Sequence, residues 1–583
     1  MRSILLMLLC GLAALSVAGQ SARRPNVIIV LSDDQGYGDF SCHGNPVLQT
    51  PALDRMYNES VRLTNFHVTP LCTPTRGELM SGLAAMNNKA SNVLTGRGIV
   101  RRDVTIMPEV FSQNGYHTGI FGKWHLGDTY PDRPIDRGFQ KSIWTKGWGL
   151  LSEIEYDNDY YKTRYMDSLD IKYSEQYCTD LWFDQAMKWM DNIRTSGKPF
   201  FTYIPLNAPH GPFYAPEDDA KRYRDKAGDD ATASFLGMIS NIDRNMARLD
   251  QWLTEKGLKE NTIVIFMNDN GGTGGVKVYN AGMRGEKTST YDGGHRAACF
   301  IQWPSGSIGL PRSIGYAASV RDLLPTFIDL FGFKIKQKTF DGISLRPVLQ
   351  EAKKLKDRMF VVQYTGKEKP EKYYSCVVWN SWRLVGDSEL YDIATDSAQA
   401  HNIATAHPDV LKKMKGFYET WWAGLQPEIY KLVPIIIGAK QENPVIINSN
   451  SWVGAGGINT QWGVAQAAGA PRGGSWQLFA NEGGAYQVEL SRWPFHLERE
   501  MTRAGPAVAI GGTKIREGKA LPVAAGSLVL DSGEQLILAG TPGATKLSTT
   551  VTLQKGAHQL QAWFRDKDGK DLCGAYYVRI TKL

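Results

Sequence analysis

Five short runs of β-branched and aromatic residues in the first half of the chain constrain its fold most strongly. They are Asn26 to Leu31 (NVIIVL), His117 to Gly122 (HTGIFG), Pro199 to Leu206 (PFFTYIPL), Thr262 to Met267 (TIVIFM) and Ala298 to Trp303 (ACFIQW). Amphipathic stretches lie between them, among them Thr105 to Gln113, Thr179 to Arg194 and Phe235 to Lys256. Strands this apolar are buried on both faces, and strands alternating with helices build a mostly parallel sheet with helices on each side. The pattern predicts an α/β fold with a mostly parallel central sheet flanked by helices over residues 23–304.

The rest of the chain reads differently. In residues 305–440, the short runs Met359 to Tyr364, Ser375 to Trp379 and Arg383 to Gly386 precede one long amphipathic helix, Pro408 to Leu425, which predicts a small α+β subdomain. Pro434 to Pro444 reads as a junction. Beyond it the helical period disappears. Alternating segments such as Ala485 to Leu490, Ser527 to Leu530, Thr549 to Leu553 and Gln559 to Phe564, with a hairpin signal at Asp568-Gly569 before Ala575 to Ile580, predict an accessory β-sandwich over residues 445–583.

At the other end, Arg2, the apolar run Ile4 to Val17 and the small residues after it read as a signal peptide over residues 1–22, placing the protein in the periplasm or outside the cell. No later run reaches the roughly 20 apolar residues of a spanning helix, so membrane insertion is not expected. The 66 basic and 59 acidic residues are spread along the chain without a Lys/Arg block, which argues against a nucleic-acid partner. Cys42, Cys72, Cys178, Cys299, Cys376 and Cys573 are far apart and form no C-x-x-C, so they suggest neither a disulfide framework nor a zinc site.

The chemistry lies just after the strands. In open parallel sheets, functional groups gather at the carboxyl edge, where the loops converge on one crevice. Here NVIIVL runs into Ser32-Asp33-Asp34-Gln35-Gly36 and TIVIFM into Asn268-Asp269-Asn270-Gly271-Gly272. Either string alone reads as a loop cap, because Asp and Asn favour turns. At two equivalent strand ends they offer three carboxylates and an amide, hard oxygen ligands that favour Ca2+ or Mg2+ over zinc. HTGIFG runs into Lys123-Trp124-His125, PFFTYIPL leads to His210, and Arg76 and Lys287 complete a cationic set. Such a set suits an oxyanion substrate, whose developing charge fixed donors stabilise. Cys72 in LCTPTRGELMSG precedes Pro74, a residue suited to a helix's first turn, so it would sit at the positive end of a helix dipole.

These motifs bring in a family. CTPTR resembles the C-x-P-S/T-R signature of the type I, formylglycine-dependent sulfatases of the alkaline phosphatase superfamily, the arylsulfatase-like enzymes. PNVIIVLSDDQGYGD, GYHTGIFGKWHLG, APHGPFYAPE, NTIVIFMNDNGG and RGEKTSTYDGGHRAACFIQWP are similar to that family's other blocks, in the same order, over roughly residues 25–430. The resemblance implies an alkaline phosphatase-like fold and the hydrolysis of an aryl or carbohydrate sulfate ester. It implies that a formylglycine-generating enzyme converts Cys72 to Cα-formylglycine. Asp33, Asp34, Asp269, Asn270 and the modified Cys72 would bind one divalent cation, Ca2+ before Mg2+. Arg76 and Lys123 would hold the nucleophile, Asp269 would activate it, His210 and Lys287 would assist the leaving group, and His125 would help expel sulfate. Thr75 and Asn268 stand where serine is usual in the family.

A formylglycine-dependent phosphoester hydrolase and a non-catalytic glycan-binding relative are the competing readings. Specificity is expected in loops such as Pro131 to Tyr161, with Trp144, Trp148, Tyr156, Tyr160 and Tyr161 available for stacking, and Gly272 to Asn280. In the tail, Trp452, Trp462, Trp476, Trp493 and Trp563 are candidates either for a glycan-binding face or for sandwich core.

Overall fold

Val27, Ile29 and Leu31 point into one hydrophobic core, and Ile28 and Val30 into another on the opposite face of the same strand. That two-sided burial is why the run lacks polar alternation. The computed structural model describes residues 24–583 apart from 151–157, 338, 351–354, 427, 455–457, 459, 468–470, 511–512 and 532. The expected signal peptide and Tyr156 lie outside the described residues.

The large sheet has ten strands, and its centre is five contiguous parallel ones: Thr262–Asn268, Asn26–Ser32, Phe200–Pro205, His117–Lys123 and Lys141–Thr145. Cys299–Gln302, from the fifth run, pairs antiparallel with Thr262–Asn268 and turns the sheet's margin around. Antiparallel strands Thr163–Asp167 and Asp170–Ser174 extend the other margin. Helices Cys178–Ile193 and Asp230–Glu255 cover one face through Trp182, Met190, Met238 and Ile242. The second begins before the expected Phe235 because Asp229 caps it, accepting a hydrogen bond from the Thr232 N–H. Met107–Gln113 and Leu323–Phe331 cover the opposite face. Strand Arg312–Ile314 and helix Leu323–Phe331 thus attach to the large sheet, while Ala318–Ser319 pairs with Phe66–His67 in a separate three-stranded sheet.

That smaller sheet is antiparallel: Met359–Gln363, Ser375–Trp379, Trp382–Val385 and Glu389–Asp392. Helix Pro408–Gly424 packs on it through Met414, Tyr418 and Trp422. Arg383 pins it to the large unit. Its Nε donates to Asp292 Oδ1 at 2.7 Å and its Nη2 to Asn65 Oδ1 at 2.7 Å, both within the buried interior.

The C-terminal region is a sandwich of a six-stranded and a four-stranded sheet. Its first strand, Ile435–Ile437, lies in the stretch read as a junction and pairs parallel with Ser475–Ala480. The turn at Asp568-Gly569, with Gly569 at φ +78°, leads into Asp571–Gly574, and the chain then crosses to the other sheet as Tyr577–Lys582. Trp452, Trp476 and Trp493 have no exposed surface and form its core, so these three are not a glycan-binding face. No disulfide forms among the described cysteines. No described helix is long and apolar enough to cross a membrane.

Candidate active site

Register brings the two acidic strings together. Strands Asn26–Ser32 and Thr262–Asn268 run parallel with Leu31 opposite Met267 and Ser32 opposite Asn268, so the residues that follow emerge side by side. The Asp269 N–H donates to Ser32 O at 3.1 Å, and the Asp34 N–H to Asp269 Oδ1 at 3.2 Å. The loops then pack backbone to backbone, since a Cβ on Gly36 would lie 2.8 Å from Gly272 Cα. Only glycines permit that approach. Asp34 and His125 adopt left-handed backbone conformations, φ +70° and +59°, the kind of strain that collects at functional sites.

Helix Cys72–Ser81 starts at this edge, and all ten of its residues are buried. Cys72 occupies its first turn, where unpaired backbone N–H groups and the helix dipole favour negative charge. Thr75 closes the preceding loop, its Oγ1 accepting from the Thr69 N–H at 2.9 Å, which serine could do equally. Thr73 Oγ1 donates to the His125 carbonyl at 3.4 Å, tying the helix to the loop that carries that histidine.

The cations interleave with the carboxylates. Lys123 Nζ donates to Asp33 Oδ2 at 2.6 Å, Arg76 Nη2 to Asp269 Oδ2 at 2.9 Å, and Lys287 Nζ to Asp34 Oδ1 at 2.5 Å. His210 Nε2 lies 3.6 Å from Asp34 Oδ2, while its Nδ1–H donates to Gly211 O at 2.7 Å. Burial would raise the Asp33 carboxyl, but Lys123, His210 and Arg76 together hold it well below the usual carboxylate range. Asp34 is likewise lowered, with Lys287 overcoming its burial. Asp269 goes the other way, pushed up to about 7 by burial and by the charge of Asp33. Burial, with Lys123 and Arg76 adding to it, drives His125 well below the ordinary imidazole value. Its ring is therefore held in the neutral form.

Three carboxylates thus face three fixed cations, and a divalent cation would leave the pocket net positive, ready for an anion. The residues fit such an ion. Asp33, Cys72 and Asp269 offer ligand atoms within 4.8 Å of one another. Asp33 Oδ1 and Asn270 Oδ1 are shielded from water and accept no hydrogen bond among the described residues. The Asn270 Nδ2 donates to Asp34 Oδ1 and Gly271 O, which fixes its carbonyl oxygen as the orphan. Bare buried acceptors are costly unless something positive meets them.

All ten sequence-derived site residues therefore converge on one crevice. The aromatic set does not. Trp144 and Tyr160 are 0% and 1% exposed, so neither can stack on a substrate. Tyr160 instead donates to the carbonyls of Asn207 and His210 at 2.8 and 2.6 Å and sets the loop that carries His210. Trp148 packs against the His210 ring at 4.9 Å. Sequence reasoning passed over Asp128, which lines the same cleft as His125 although it stands only three residues along the same loop.

The comparisons with known proteins point to one family. A family model described as Sulfatase matches residues 25–333. The N-acetylgalactosamine-6-sulfatase of Canis lupus familiaris is 28% identical over 373 residues, covering 59% of this chain and 69% of that protein. Arylsulfatase A of Homo sapiens is 28% identical over 471 residues, covering 71% and 89%. Among solved structures, Ps i-CgsB in complex with k-i-k-neocarrahexaose superposes with a TM-score of 0.64 at 26% identity, over 70% of this chain and 94% of that one.

Proposed function

Because the chain belongs to the sulfatase family and is a sulfate ester hydrolase, we propose that it releases sulfate from a carbohydrate sulfate ester, using a side chain derived from Cys72 and one bound divalent cation. The observation that carries this reading is the pair of orphaned acceptors, Asp33 Oδ1 and Asn270 Oδ1, beside a cysteine at a helix start. Relatives supply the carbohydrate: one is named for a sulfated amino sugar, and another is seen holding a neocarrahexaose.

Asp33, Asp34, Asp269, Asn270 and residue 72 would hold the cation, with Ca2+ favoured by their hard oxygens. Such an ion acts as a Lewis acid toward the sulfuryl oxygens. Oxidation of Cys72 to formylglycine supplies a hydroxyl nucleophile once the aldehyde is hydrated. Cys72 is 3% exposed and Arg76 is 0% exposed, so a formylglycine-generating enzyme would have to act before this helix folds. Export through residues 1–22 fits that order.

The surrounding residues then divide the work. Arg76 and Lys123 neutralise charge near residue 72 and orient the carboxylates. Asp269, whose carboxylate lies close to residue 72, would take the proton of the attacking hydroxyl. As the bond between sulfur and the alcohol oxygen breaks, Lys287 and His210 would face the departing oxygen and stabilise its charge. Neutral His125, with both ring nitrogens lacking a partner among the described residues, would take the proton whose loss releases sulfate.

The test combines two measurements on protein from its own host. Mass spectrometry of the peptide ending at Arg76 is expected to show formylglycine at position 72; an unmodified thiol in active protein overturns the mechanism. Paired kinetics on the sulfate and phosphate esters of one sugar are expected to favour sulfate in kcat/KM. A preference for phosphate would make the chain a phosphoester hydrolase of the same superfamily.

A further inference from the structure

We propose that the seam between the α/β unit and the sandwich binds an uncharged, hydroxyl-rich stretch of the substrate's polysaccharide, leading from the active site onto the outer face of the sandwich. This rests on the carbohydrate sulfatase reading and extends it to the chain around the scissile ester.

Two hollows meet at one residue. His125 lines a cleft of about 780 Å³, counting space open to solvent, whose other lining residues include Leu94, Ile99 and Thr129 from the α/β unit and Leu432, Ile446 and Val453 on the other side. A second hollow of about 540 Å³ lies on the sandwich, lined by Ser475, Asp531, Gln559 and Gln561. Val453 lines both. The walls are held together where they meet: the Thr95 N–H donates to Asn450 O at 3.2 Å, and a Cβ on Gly96 would touch Val453 Cγ2 at 3.4 Å.

The lining chooses the ligand. Near the active site it mixes aliphatic side chains such as Leu94 and Ile446 with the neutral amides of Asn448, Asn450 and Gln477. The outer hollow adds two glutamines and a serine, with the Gln559 Nε2 donating to Ser475 Oγ at 2.8 Å. Amide groups donate and accept, which suits hydroxyls, and aliphatic patches suit the C–H faces of sugar rings. The ionised groups lining the path are the carboxylates of Asp128 and Asp531, and no lysine or arginine is among the described lining residues. His558 Nδ1 lies 2.9 Å from Asp531 Oδ2 and offsets its charge, so the path offers a sulfate no cationic partner among its lining residues, whereas its amides suit an uncharged stretch. Asn450 Oδ1 is shielded and accepts no hydrogen bond among the described residues, an acceptor waiting for a donor.

The test titrates the full-length mature protein with four unsulfated hexasaccharides, agaro-, cello-, manno- and xylohexaose, and with the corresponding disaccharides. At least one hexasaccharide is expected to bind with a Kd of about 1 mM or tighter, at least ~10-fold better than its disaccharide. Hydrogen exchange of the unaltered protein should then slow at residues 448–453, 475–477 and 559–561. Val453→Trp, which plugs the junction, and Gln559→Ala with Gln561→Ala should each weaken binding ~10-fold or more, with melting temperature as the control for folding. No binding by any hexasaccharide, or binding without protection of those segments, overturns the proposal. Hydrolysis of a small aryl sulfate is followed in parallel. Its absence strikes the sulfatase mechanism, whereas hydrolysis without hexasaccharide binding strikes the groove alone.

Discussion

Among the described residues, two buried clusters carry groups that could hold a metal ion, and they are built to opposite ends. One is the proposed active-site group around Asp33, Cys72 and Asp269; the other is His67, Asp292 and His295, equally buried beneath the antiparallel sheet. In the second, every ligand-type atom is already engaged. Asp292 accepts from Arg383, His67 Nε2 lies 2.9 Å from Asn65 Oδ1, the two histidine Nδ1 atoms are 2.9 Å apart, and His295 Nε2 meets Thr290 O at 3.1 Å. In the first, two oxygens accept no hydrogen bond among the described residues. Residue type does not separate a site from a strut; unspent hydrogen-bonding capacity does.

The sharpest way to break that contrast is to neutralise one carboxylate in each cluster. Asp33→Asn is expected to abolish retention of Ca2+ through gel filtration and to lower turnover on the order of 10³-fold, about 4 kcal/mol. Asp292→Asn should leave the Ca2+ content unchanged and turnover within about threefold, measured below its melting temperature. Loss of the ion from the Asp292 variant would mean the second cluster is a site after all.

Removing Arg383 probes the strut. Arg383→Ala leaves Asp292 buried without its main counter-charge, and such losses cost about 3–5 kcal/mol. Denaturant unfolding should register that loss, while kcat under folding conditions stays near the wild-type value. A stable Arg383→Ala protein with impaired kcat would reverse the assignment.

A smaller effect appears with pH. With the Nδ1 atoms of His67 and His295 facing each other, only one can carry a proton at that contact, so the folded pair cannot be doubly protonated. Burial holds His67 well below the usual imidazole range and His295 at about 4. Both fall below the unfolded value of about 6.5, so the unfolded chain binds more protons in acid. Stability is then fully present above about pH 6.5 and is lost as the pH falls toward about 4, by about 3 kcal/mol from His295 alone. His295→Gln should flatten that slope in pH-dependent melting; an unchanged slope would place the acid sensitivity elsewhere.

Much of the proposed catalytic crevice was legible because its residues stand at fixed offsets from strand ends. Asp33 and Asp269 each follow a run of apolar β-formers by the same short step, and parallel register turns equal offsets into neighbours. The aromatic residues carried no such offset. Trp144 follows Ile143 within strand Lys141–Thr145, and both are buried, on opposite faces of the sheet. Nothing local distinguishes it from Trp148, which lies beyond the strand and reaches His210. The sandwich tryptophans were ambiguous for the same reason, since alternation marks two faces without saying which one meets the partner sheet.

By itself, the sequence determined the order of strands and helices, the set of metal-type oxygens and cations delivered to one edge, and the place of Cys72 at a helix start. These are local properties, set by side-chain periodicity and backbone preference within a few residues. Only the tertiary structure decided which acceptors stay unpaired, how Arg383 ties the small sheet to the large unit, and that His125 opens onto a seam lined by the sandwich. Those depend on contacts between segments hundreds of residues apart, whose geometry is fixed by packing, and no short-range pattern records it.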